Sequence, residues 1–118
     1  MSQGRELARA KVSILISYRL SGDLDERYSM LADLSVGGAQ FTTESDIAFE
    51  TPIEVEIKLP WCGEPLRLAG TVKRCVRIQK SVLFRVAVSF SKIADQDRKE
   101  IAKIVQIRQR EENLEKLL

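Results

Sequence analysis

Two groups of residues in this chain carry chemistry. The first lies in Asp33-Leu34-Ser35-Val36-Gly37-Gly38. In an extended strand Tyr28, Met30, Ala32 and Leu34 alternate onto one face, so Asp33 and Ser35 share the other and aim a carboxylate and a hydroxyl outward together. Gly37 and Gly38 follow at once, and two glycines permit positive φ and a close approach of backbone to a ligand or a neighbouring strand. The result is a small acceptor platform beside an open backbone. The second group is Arg5 and Arg9. Four residues apart, they fall on one side of a helical turn, or reach one object from a wrapping segment. Guanidinium groups grip phosphate oxygens through paired donors and stack on purine faces. Taken alone, the two arginines read first as ordinary surface charges.

Other chemistry is lacking. The chain has no histidine, no phosphate-cradling P-loop pattern and no base placed to make Ser35 a nucleophile, so an enzyme is not expected. Cys62 and Cys75 match no metal or redox spacing and read as reduced structural thiols. The 19 Lys+Arg and 17 Asp+Glu give a net charge of +2, too small a bias for generic nucleic-acid or membrane binding. Their distribution is uneven: residues 1–20 carry +3, 21–59 carry −7, 60–94 carry +6 and 95–118 carry 0. A nucleic-acid-binding barrel is the reading the basic segment suggests. It is disfavoured because the aromatics are four Phe, two Tyr and one Trp, most at core positions. No apolar run approaches a signal peptide or a membrane span, so neither membrane insertion nor export is expected and the protein is placed in the cytoplasm.

The elements that must position these residues follow from periodicity. At 118 residues, 44% hydrophobic, the chain is sized for one domain with one core. Residues 1–11 are polar and read as a flexible leader, 12–94 as a barrel and 95–118 as a C-terminal helix. Val12, Ile14, Ile16, Tyr18 and Leu20 alternate as a first strand, and a second runs from about Arg27 into Asp33. Ala39 and Phe41 make a short third strand. Residues 42–51 read as a polar loop, with Ile47 and Phe49 plugging the core. Pro52 opens a fourth strand with Ile53, Val55, Ile57 and Leu59 inward. Between Pro60 and Pro65 lies a turn whose Trp61 either folds over the barrel end or makes contacts. The fifth strand, from Leu66 to about Ile78, has Gly70 at a bend or bulge, and Lys73, Arg74 and Arg77 either enlarge an anion site or form a solvated face. Phe84, Val86, Val88 and Phe90 face inward on the sixth. Six short strands with one apolar face each predict an all-β, six-stranded antiparallel β-barrel, because closure removes exposed edges. Asp95 caps the helix, and Ile101, Ile104 and Val105 dock it. Beyond them Ile104, Ile107, Leu114 and Leu118 fit a heptad seam with Glu111 at a core position, which leaves both a homodimer through this helix and a frayed end open.

Arg5-Glu6-Leu7-Ala8-Arg9 matches R-x-x-x-R, and Asp33 to Gly38 matches D-x-S-x-x-G. In that order, ahead of a small barrel ending in Phe84-Arg85-Val86-Ala87-Val88-Ser89-Phe90 and a helix, they resemble the PilZ domain, a bacterial module that binds cyclic di-GMP. The resemblance covers essentially the whole chain. It implies that Arg5 and Arg9 hold guanine and phosphate, while Asp33, Ser35, Gly37 and Gly38 line the site for a guanine edge. It implies a stand-alone, non-enzymatic receptor with no cofactor beyond its ligand. Ordering of the leader on binding would signal to a protein target in motility, biofilm or exopolysaccharide control. Gly4 stands where many members carry a further arginine. The alternative is a PilZ-like interaction adaptor with weak or no cyclic di-GMP binding.

Overall fold

The computed structural model describes residues 12, 14–59 and 63–117. Leader residues Arg5 and Arg9, with Trp61, Cys62 and Leu118, lie outside the described residues. Among the described residues six strands form: β1 (Leu15–Leu20), β2 (Arg27–Ser35), β3 (Gly38–Thr43), β4 (Pro52–Ile57), β5 (Leu66–Arg77) and β6 (Phe84–Phe90). All pair antiparallel in the order β1-β2-β3-β6-β5-β4, and β1 pairs with β4 to close the barrel. A helix, α1 (Asp95–Leu117), follows them. No described helix is long and apolar enough to cross a membrane.

Alternation places the core as expected on most strands. Ile16 and Tyr18 on β1, Ile53, Val55 and Ile57 on β4, and Val86 and Val88 on β6 are buried. Tyr18 packs on Phe41 with ring centroids 4.7 Å apart, and its hydroxyl lies 2.8 Å from the Thr43 hydroxyl, so the buried phenol meets a polar partner. On α1, Ile101, Ile104 and Val105 are buried, and the helix packs on β2. A stripe at i, i+3 and i+4 is what one docked helix face requires.

Five expectations need correction. Strand β1 starts at Leu15 rather than Val12, although Val12 is buried in the core. Residues Thr42 and Thr43 belong to β3, because Thr42 and Thr43 pair with Arg85 and Phe84. Phe49 does not plug the core: it is 69% exposed, with the Lys73 ammonium 5.7 Å from its ring centroid. Ile47 alone enters, and its N–H donates to the free thiol of Cys75 at 3.3 Å. Gly70 marks a close approach rather than a bulge. A Cβ there would lie 2.5 Å from the Ser89 carbonyl oxygen.

The fifth correction concerns the faces of β2. Tyr28 and Met30 are exposed while Leu31 and Leu34 are buried, so the even-numbered residues do not share one face. Leu31 pairs with Phe41 and Asp33 with Gln40, leaving Ala32 as one extra residue, a β-bulge that reverses the alternation. A second bulge sits on β5, where Val72 pairs with Val88 and Arg74 with Ala87, leaving Lys73 extra.

Candidate functional site

The two bulges decide what the outside of the barrel presents. On β3, Ala39 and Phe41 point into the core and Gln40 points out; on β6, Val86 and Val88 point in and Ala87 points out. Without the residue added at Ala32, unbroken pairing would set Asp33 opposite Ala39 and drive its carboxylate into the barrel. With it, Asp33 is opposite Gln40 and faces outward. The Lys73 bulge does the same for Arg74, which lies opposite Ala87. Asp33, Gln40, Ala87 and Arg74 therefore stand in one outward row across four strands. The neighbouring row is Thr42, Arg85 and Val76.

Asp33 is half-buried, and one of its carboxylate oxygens is shielded from solvent. Leu34 beside it is fully buried. The outward aim expected of Asp33 is correct; the reason is the bulge.

Ser35 differs from expectation. It is fully buried, and its hydroxyl accepts from the Gly37 N–H at 3.2 Å and donates to the Gly38 carbonyl at 3.4 Å. A hydroxyl at the last residue of a strand can satisfy the backbone of its own turn, and here it does so, on the side that Ser35 shares with Asp33 by register, rather than meeting solvent. The Phe90 N–H donates to the Gly37 carbonyl at 3.0 Å, tying the turn to β6. Neither Gly37 nor Gly38 has positive φ; among the described glycines only Gly22 does, at 82°. Gly38 is required by the neighbouring strand, since a Cβ there would lie 2.2 Å from the Val88 carbonyl oxygen. Of the two roles open to these glycines, close strand approach is the one Gly38 fills.

Of the basic residues on β5, Lys73 is bound to Glu50 at 2.6 Å and Arg77 stacks over Phe84, 5.5 Å from its centroid. Arg74 is exposed in the Asp33 row. The structure thus brings Asp33, Gly38 and Arg74 to one face, and it places Ser35 beneath that face as a brace. Gln40 and Arg85 were not singled out by sequence reasoning. The signal was present, because Phe84, Val86, Val88 and Phe90 facing inward leaves Arg85 outward.

Chemically, the face combines an acceptor able to take paired donors from a guanine edge with guanidinium groups able to meet phosphate. Comparison with solved structures finds the same barrel. The PilZ domain of Escherichia coli YcgR with c-di-GMP matches at a TM-score of 0.71 and 16% identity, covering 96% of this chain and 97% of that one. The K. pneumonia MrkH–c-di-GMP complex matches at 0.80 and 14%, covering 98% and 57%. The Bacillus subtilis inhibitor of motility, MotI/DgrA, matches at 0.74 and 19%; this chain covers 92% of itself and spans about half, 52%, of that protein. No curated protein matches by sequence. The family model for the PilZ domain matches residues 3–106, taking in the leader arginines, the bulged strand and the barrel together, and on that match the chain belongs to the PilZ family.

Proposed function

We propose that the protein is a cytoplasmic receptor for cyclic di-GMP. The observation that carries this reading is the bulge at Ala32, which turns Asp33 outward in a strand whose sequence continues as D-x-S-x-x-G, in a chain whose leader carries R-x-x-x-R. Asp33 accepts from a guanine edge, Gly37 and Gly38 keep the turn low beside it, and Ser35 fixes the turn. Arg5 and Arg9 supply charge and stacking surface for guanine and phosphate. Binding orders the leader against the barrel and changes a surface that a protein target reads, in control of motility or surface polymer. The likeness in fold to an inhibitor of motility supports that output.

Isothermal calorimetry at physiological salt tests this. Wild-type protein should bind cyclic di-GMP, and Arg9→Ala and Asp33→Ala should each weaken binding roughly tenfold or more, the loss expected for one charge-assisted contact. No binding by the wild type, or binding unchanged from wild type in both variants, defeats the reading. The ligand recovered after prolonged incubation should be chemically unchanged, because the receptor performs no catalysis. Gly4 favours a second reading, a PilZ-like adaptor with little nucleotide affinity, and that adaptor would capture its target equally with and without the nucleotide.

A further inference from the structure

The outward face of β3 and β6 is a shelf of small side chains. Gly38 and Thr42 on β3 and Ala87 and Ser89 on β6 carry side chains that project little from the sheet, and Gln40 is its one large residue. Asp33 bounds this shelf on β2, and Arg74 and Arg85 bound it toward β5. Arg85 is in an unusual state. Its Nε is buried without a hydrogen-bond partner, and no described acidic side chain pairs with its guanidinium. Lys73 and Arg77, on the adjacent strand, both have partners. A shielded, charged donor without an acceptor is costly, and an arriving acceptor relieves that cost. Two strand spacings, roughly 10 Å, separate Arg85 from the β2 edge of the shelf. A cyclic dinucleotide lying on small residues with one guanine at Asp33 presents a phosphate toward that side.

We propose that Arg85 is a phosphate-binding residue of this site, contacting the ligand from the barrel and supplying a guanidinium that the leader lacks at Gly4. The proposal rests on the receptor reading above. It assigns the open face of the ligand to β6, so that the nucleotide is gripped from two sides: by the leader above and by the sheet below.

The test is calorimetry with cyclic di-GMP on the wild type, Arg85→Met and Arg85→Lys, with thermal midpoints measured without ligand. Arg85→Met should bind at least roughly tenfold more weakly, with a shallower salt dependence because one ionic contact is gone. Its ligand-free midpoint should equal or exceed that of the wild type, since no native hydrogen bond is lost; a merely structural arginine would lower it. Arg85→Lys should recover part of the affinity as a point charge without the fork. Arg67→Met, at the far end of β5 and exposed, is the control and should bind as wild type. Arg85→Gln replaces Arg85→Met should the latter misfold. Wild-type binding with an unchanged Arg85→Met overturns the proposal and leaves the receptor reading intact. Should the wild type bind no nucleotide, the receptor reading fails by itself. In that case a midpoint raised by inorganic pyrophosphate in the wild type but not in Arg85→Met upholds Arg85 as an anion site, and equal responses sink both.

Discussion

Gly38 shows how a residue can belong to a ligand motif and still be demanded by the fold. Its Cβ position is filled by the Val88 carbonyl oxygen, a backbone atom that cannot swing aside. Gly38→Ala should therefore push β3 from β6 and cost about 1–3 kcal/mol, the usual range for overpacking, seen as a lower midpoint in urea. An unchanged midpoint would mean that the strands are not so close. Ser35→Ala removes the brace inside the turn and should cost about 1 kcal/mol, with a further loss of ligand affinity through misplacement of Asp33. The identities of Asp33, Ser35 and Gly38 were legible in the sequence as a group. The direction of the Ser35 hydroxyl was not, because two-residue alternation describes a strand and says nothing of the turn that ends it.

At the scale of elements, the two bulges set the frame. Deleting Ala32 should lower stability far more than Ala32→Ser, since deletion inverts residues 33–35 or forces β2 to slip against β3. Urea titration of both variants checks this, and equal midpoints would remove the bulge from the account. In β4 and β6 alternation ran unbroken and the buried faces were readable directly. In β2 and β5 the inserted residues are an alanine and a lysine, types that carry no bulge signature, so the reversal could not be seen without the pairing partner. The helix divides in a similar way. Its first half buries Ile101, Ile104 and Val105, while Leu114 and Leu117 are exposed and Arg108 lies within reach of Glu111, Glu112 and Glu115. Exposed pairs of this kind contribute little. Amide exchange should therefore be slow through residue 105 and fast beyond 109 in dilute protein; protection extending to the C-terminus at higher concentration would identify a helix-mediated dimer.

For the molecule as a whole, all six strands and α1 contribute to one buried cluster. One core predicts one cooperative transition, with far-UV dichroism and calorimetry giving the same midpoint. Six strands, antiparallel pairing and a terminal helix could be read from spacing and alternation. The pairings of β3 with β6 and β1 with β4 could not, because they join residues far apart in sequence and leave no local trace. Those same two pairings close the sheet, so each described strand has a neighbour on both sides along much of its length and only short stretches, at the ends of β2 and β5, keep one side outside the ladder. A partner of this protein then meets side chains far more than bare backbone. Its conversation with a partner is then open to rewriting by point substitutions on the barrel wall or the helix, with the scaffold's own ladder untouched.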